Sequence, residues 1–480
     1  MIKQFYLLAE EMKMRLKERF SSPFYGQIVK LVTPIVLQNL LSSAVSSADV
    51  VMLNFVGQSA ISAVSLASQY ASVLFMVFYG LGTGATMLCA QYYGKKDFRA
   101  IEVVQGIALR FSVGISLGFA VLALTVPQYM MLVFTNDQEL IQLGAGYIRI
   151  LSVCYLCWGV TEVYISILRS VGRVAIGTVL NTVAVVLNVI LNAVFIFGWL
   201  GVPKMGANGV ALATSISRLV ELALCFVVSA RSPQVKLKLR MIFVKNAVLF
   251  RDFLKLSLPA MANDVVWGLA FSLYSVIIGH LGNDAVAANS LATVVRGFGT
   301  VLCFGLASAG GILLGQKIGE GRLEEARADG RRLLWLTVAA GAVGGLIVLC
   351  ARPFVLLYAG NGNFTETALG YLSVMLLINS YYVMGAAVNT TLIAGVFRAG
   401  GDSRFGLICD FFDMWVYALP VGFLAAFVFK LPVLWVYFIM CTDEFVKWPW
   451  VFKRYRSGKW LKNITREGLF EKEPAGAEGQ

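Results

Sequence analysis

Apolar residues run along this chain in blocks of roughly 20 to 30, the length a helix needs to cross a bilayer core. Short polar or glycine-bearing breaks separate them. The blocks fall at 28–56, 60–90, 104–127, 140–166, 174–200 and 207–230 in the first half of the chain. In the second half they fall at 253–280, 285–315, 332–352, 366–395, 405–429 and 432–452. The pattern predicts an all-α polytopic membrane protein with twelve transmembrane helices.

The blocks also repeat. Slid forward by about 225 positions without a gap, the stretch from Pro34 to Gly94 lands on Pro259 to Gly319. Gly57 falls on Gly282, Ala60 on Ala285, and Ser65-Leu66-Ala67 on Ser290-Leu291-Ala292. Gly80-Leu81 falls on Gly305-Leu306, Gln91 on Gln316 and Gly94 on Gly319. A repeat covering two spans and their turn implies two halves of like architecture. Six spans per half leaves them parallel in topology: two pseudo-symmetric six-helix lobes related by an axis along the membrane normal, with a substrate path between them.

Composition agrees, with 58% of the 480 residues hydrophobic and only 14% charged, outside the range of a soluble domain. A net charge of +13 would suggest nucleic acid in a soluble chain. Here the cations sit in alternate connections, which fits a bilayer with anionic headgroups and not nucleic acid. One set holds Lys95, Lys96 and Arg99; Arg169 and Arg173; Lys317, Arg322 and Arg327; Arg398 and Arg404. The opposite connections at 54–59, 127–139 and 279–284 hold none, and the exceptions on that side are Lys204, Arg352 and Lys430. The bias places both termini on the cytoplasmic side of the cell membrane. The expected organisation is a basic amphipathic arm at 1–27, a first lobe at 28–230, a basic linker at 231–252, a second lobe at 253–456 and a tail at 457–480. No cleavable signal peptide is expected. All eight cysteines fall in apolar spans, so Cys154 and Cys157 read as small packing residues despite their redox-like spacing.

Polar positions inside the spans carry the chemistry. Asn181, Asn188 and Asn192 repeat along one face of the fifth span, either as hydrogen-bonding glue or as the lining of a polar cavity. Pro34 and Pro259 sit near the start of the first helix of each half, as kinks or gating bends. Tyr70, Phe75, Tyr79, Trp158, Trp267 and Phe271 could offer ring faces to a cationic cargo or simply pack. His280 reads as an interfacial spectator. Glu162, the Arg218 and Glu221 pair, and the Glu444 and Lys447 pair read as charges at the inner ends of helices.

A second repeat pair sharpens the reading. Ile167-Leu168-Arg169-Ser170-Val171-Gly172 precedes the fifth span, and Val396-Phe397-Arg398-Ala399-Gly400-Gly401-Asp402-Ser403 precedes the eleventh. With Asp49 before Gly57, and with Phe197-Gly198-Trp199-Leu200-Gly201-Val202-Pro203 running into Gly206-Ala207-Asn208-Gly209, these motifs resemble the multidrug and toxic compound extrusion (MATE) family. The resemblance spans roughly residues 28 to 460. It implies two six-helix lobes around a central cavity. It also implies an antiporter that exports amphipathic, mostly cationic drugs or toxic compounds by alternating access, driven by H+ or Na+. Asp49 matches the family's acidic residue in the first helix, implicated in coupling. A branch of the family carries acids where this chain has Trp267 and Ala387, so that branch's sodium site is not carried over.

Each ionisable group at bilayer depth needs a reason. Asp49 is a coupling candidate or the structural partner of Arg149. In the repeat, Asn39 aligns with Asp264 and Asn181 with Asp410, so the second lobe holds a carboxylate where the first holds an amide. Asp264, Asp410 and Asp413 are therefore coupling-ion or proton candidates, and Asn39, Asn181, Asn188, Tyr70, Tyr79 and Trp267 candidates for the substrate cavity. Against this, Asp264 could be locked in an ion pair with Arg296 on the neighbouring helix, and Asp410 and Asp413 could pair with Arg398 or Arg404. The alternative function is a flippase for a lipid-linked saccharide or cell-wall precursor, which would need cations facing the cavity to hold a pyrophosphate. An enzyme is not expected: one histidine, no metal-ligand spacing and no activated nucleophile are present. No cofactor beyond the coupling ion is expected, and the chain reads as a monomer.

Overall fold

The computed structural model describes residues 23–469 apart from 55, 233–234 and 362–363, without the side chains of 43–51, 53, 54, 58, 200 and 239. Among these residues the chain is helical, with no strand. The first half comprises α1 (Pro23–Asn54), α2 (Gln58–Gly94), α3 (Phe98–Thr125), α4 (Gln138–Ser170), α5 (Val174–Phe197) and α6 (Gly206–Arg231). The second comprises α7 (Ala247–Gly279), α8 (Asn283–Gly319), α9 (Leu323–Gly360), α10 (Glu366–Phe397) and α11 (Ser403–Val428). It ends in a broken α12, in the pieces Val433–Met440, Asp443–Val446 and Trp448–Arg456. The helices α2 to α11 are each long and apolar enough to cross a membrane. The expected arm falls mostly on residues 1–22, outside the described residues, and α7 begins at Ala247, inside the stretch expected as linker.

Local chemistry sets the breaks. Asp97 accepts from Ala100 N, Asp137 from Glu139 N, Asn246 from Leu249 N and Thr365 from Ala368 N, each capping the helix that follows. Gly57 (φ 133°) and Gly282 (φ 117°) open α2 and α8 in backbone conformations that disfavour a side chain. They are repeat mates, so the sequence match at these glycines is a shared turn.

The halves cross. The first helix of each half rests on the fifth helix of its own half and on the second helix of the other: α1 on α5 and α8, α7 on α11 and α2. Thr178 of α5 donates to the Pro34 carbonyl at 3.2 Å, and Ser403 of α11 donates to the Leu256 carbonyl at 3.2 Å. At the end bearing the inter-lobe linker, α2 and α8 meet about the pseudo-twofold axis. A methyl group added at Gly94 would lie 2.0 Å from the Gln316 carbonyl oxygen, and one at Gly319 would lie 1.9 Å from the Gln91 carbonyl oxygen. Gln91 donates to the Ala399 carbonyl (2.8 Å) and Gln316 to the Ser170 carbonyl (2.8 Å). Repeat mates thus make equivalent contacts across the axis, as in an isologous dimer interface. This end of the molecule is sealed.

A strap lies across the seal. After α12 the chain turns back, and Trp460 is buried against Gly330 and Gly400 and stacks on Tyr455 at 5.9 Å. The Lys462 carbonyl accepts from Gln91 (3.0 Å), whose side-chain oxygen accepts from Ile464 N (2.8 Å). Arg466 makes two 2.9 Å bonds to Asp252, and Lys95 donates to the Arg466 carbonyl.

The second half departs from the first in its backbone. π-helical turns occupy Thr391–Phe397 in α10, and Phe412–Ala418 and Leu424–Val428 in α11. Their counterparts α4 and α5 are plain α-helices. Such turns widen a helix locally and are common at functional sites. Seven of the cysteines are buried and Cys350 is exposed, and none is bridged.

Candidate functional site

Between the lobes lies a cavity of about 410 Å³, walled by α2, α4, α7, α8, α10, α11 and α12. Its apolar side holds Phe75, Tyr79, Trp267 and Phe304; its polar side holds Asn263, Asp264, Arg398, Asp410, Glu444 and Lys447. Arg169 also reaches it, and has no carboxylate within ion-pair distance among the described residues.

The polar side is one connected network. Arg398, at the end of α10, donates to Asp264 Oδ1 (2.8 Å) and Asn263 Oδ1 (2.9 Å). Asn263 passes its own N–H to Asp410 Oδ2 at 2.7 Å. Lys447 Nζ lies 3.2 Å from Asp410, 3.4 Å from Asp413 and 3.2 Å from Glu444. Asn389 donates to Glu444 Oε2 at 2.6 Å, and Tyr274 donates to Asp443 at 3.3 Å. Asp410, Asp413, Asp443, Glu444 and Lys447 are all buried. One ammonium therefore faces three carboxylates in a setting where each unbalanced charge is costly. Both carboxylate oxygens of Asp413, and Asp264 Oδ2, lack a hydrogen-bond partner.

The breaks in the elements produce this cluster. The π turn beginning at Phe412 carries Asp413. The interruptions of α12 at 441–442 and at Lys447 swing Asp443, Glu444 and Lys447 inward. A continuous last span was expected and is not observed. Glu444 and Lys447 do pair, but inside the cluster and not at a helix end. The sequence signal was there, two acids and a lysine inside one apolar block, and the i, i+3 spacing of Glu444 and Lys447 disguised it as an ordinary surface pair.

Several expected partners differ. Asp264 pairs with Arg398, not Arg296, because α7 leans on α2 and α11 and only lightly on its hairpin neighbour α8. Asp410 and Asp413 pair with Lys447, not with Arg398 or Arg404. Arg296 lies in a second recess of about 390 Å³, between Phe271 and Tyr382, each ring 5.2 Å away. Tyr79 and Trp267 line the main cavity. Tyr70 does not: it donates to the Met130 carbonyl at 2.8 Å and packs on Phe134. Asn188 donates to Thr214 and Asn192 to Asn188, so this face of α5 is glue toward α6; neither they nor Asn181 and Asn39 line either cavity. Arg149 is exposed and lines neither. Asp49 lies in α1, with its side chain outside the described residues. Arg218 pairs with Glu221 at 2.7 Å and covers Trp158. His280 is exposed and bonds the Val276 carbonyl of its own helix.

Comparison with known proteins gives a consistent picture. The family model MatE matches residues 34–194 and 259–424, one segment in each half. An uncharacterized transporter of Bacillus subtilis, YisQ, is 25% identical over 91% of this chain and 95% of its own. The probable multidrug resistance protein NorM of Thermotoga maritima is 23% identical over 93% of this chain and 95% of its own. Among solved structures, a MOP superfamily transporter from Pyrococcus furiosus superposes with a TM-score of 0.80 at 20% identity, covering 90% of this chain and 96% of that one. A multidrug resistance MATE family transporter in an outward-facing conformation gives the same score, identity and coverage. At that identity the two structures bear on the fold, which they share in its two-lobe form.

Proposed function

The chain belongs to the multidrug and toxic compound extrusion family, and from that premise we propose that it exports amphipathic, mostly cationic compounds in exchange for an inward-moving cation, H+ or Na+. The observation that carries the coupling is the charge count around Lys447: three carboxylates share one ammonium, leaving room for further positive charge. A cation arriving in the cavity competes with Arg398 for Asp264 and with Lys447 for Asp410. Loading on one side and release on the other then follow from alternate opening of the two ends about the pseudo-twofold axis. Names of relatives support the cargo class: several are described as multidrug resistance proteins. The run of basic residues in the linker and neighbouring connections supports a cytoplasmic placement of the sealed end in the cell membrane. Flipping of a lipid-linked saccharide, the alternative, asks for several free cations around a pyrophosphate. Of the three cations lining the main cavity, Arg398 and Lys447 are held by carboxylates, which leaves Arg169 alone without one among the described residues.

Purified protein in liposomes, loaded with a cationic dye, tests this. Efflux is expected to respond to a pH gradient or to a sodium gradient. Asp264→Asn or Asp410→Asn should reduce gradient-driven efflux at least about tenfold, the scale of losing one charge-assisted contact. Wild-type efflux indifferent to both gradients, or full coupling in both variants, would remove the proposal.

A further inference from the structure

Arg296 is a cation the coupling network does not use. It lies on α8, 13 residues from the start of that helix at Asn283 and therefore about 20 Å along it, near mid-depth. Among the described residues no carboxylate comes within ion-pair distance of its guanidinium; two aromatic faces hold it instead. A cation at this depth ordinarily has an anionic or carbonyl partner. The recess around it is large enough for a bicyclic ring system and is walled by Trp267, Phe271, Tyr274, Phe304, Tyr382 and Tyr437. It shares Trp267, Phe304, Thr390 and Glu444 with the main cavity, so the two are adjoining compartments.

We propose that this recess is a binding subsite for a planar aromatic compound bearing a single carboxylate, with the carboxylate on Arg296 and the ring among the aromatic walls. A guanidinium presents a planar fork that matches a carboxylate with two parallel hydrogen bonds. Phe271 and Tyr382, each ring centroid 5.2 Å from the guanidinium carbon, hold the fork in place in advance. The Glu444 carboxylate, which also lines the recess, is the wrong surface for that group, and this sets the orientation with the head on Arg296. The subsite deepens the export reading, since it widens the cargo from cations to acids and to molecules carrying both charges.

The test is isothermal titration of the purified full-length protein in detergent with 2-naphthoate and, separately, with 2-naphthamide, which has the same ring and no charge. Wild type should bind the acid at least tenfold more tightly than the amide, and Arg296→Gln should abolish the difference while amide binding persists. Equal affinity for the two compounds in the wild type would overturn the proposal, as would an undiminished preference in Arg296→Gln. The wild-type comparison stands even if the variant fails to fold. Naphthoate binding at Arg296 in a protein that exports no dye would leave this subsite standing and remove the transport reading.

Discussion

The residue that most changes the picture is Lys447. Among the described residues its ammonium is the only cation within ion-pair distance of Asp410, Asp413 or Glu444, and it is 2% exposed. Removing one partner of a buried charge set leaves the others uncompensated, at a cost of roughly 3–5 kcal/mol. Lys447→Met is accordingly expected to lower the thermal unfolding midpoint in detergent markedly, and the double variant with Asp410→Asn to recover part of the loss. An unchanged midpoint would show that another group balances the nest. In the sequence, Asp264, Asp410 and Asp413 were legible because a carboxylate in an apolar span stands out against its surroundings. The partners were not, since which cation reaches which acid depends on helix crossing. Amides stayed ambiguous for a related reason: Asn188 and Asn192 sit at the right period for a lining face, and the same period serves two packed helices equally well, which is what their bonds show.

Among the elements, the α2 and α8 crossing depends on two glycines where backbone meets backbone. Gly94→Ala and Gly319→Ala each place a methyl group about 2 Å from a carbonyl oxygen of the other helix, too close for either backbone to yield cheaply. Each is expected to loosen the seal by a similar amount, read as a several-fold faster maleimide reaction of a cysteine introduced at Thr86 in the cavity wall. A large effect from one glycine and none from the other would break the equivalence of the halves. The repeat made these glycines visible as a pair. The π turns and the first interruption of α12 left no comparable trace, because extra-wide turns have no composition of their own and the break at 441–442 carries neither glycine nor proline, whereas the second, at Lys447, is marked by Pro449.

For the whole molecule, twelve helices in two like halves could be read from block length, repeat and loop charge, and the crossing of the halves and the strap could not: Trp460 to Leu469 looks like any polar tail until its contacts with Gln91, Lys95 and Asp252 are seen. Ending the chain after Ser457 removes those contacts. It should increase labelling of the same Thr86→Cys probe while leaving the fold intact by circular dichroism; unchanged labelling would make the strap a passive covering. The stretch after α6 packs in the like place of the first half, with Met241 on Gly106 and the Ile242 and Val244 carbonyls on Arg110. Among the described residues, though, only the strap after α12 hydrogen-bonds across to the other half, at Gln91 and Lys95. A machine assembled from twin parts thus carries a single buckle, and fastening it breaks the tie between two otherwise equal directions of rocking. Any cargo or coupling cation that moves the halves apart at this end has to unfasten a piece of chain that lies beyond the last helix.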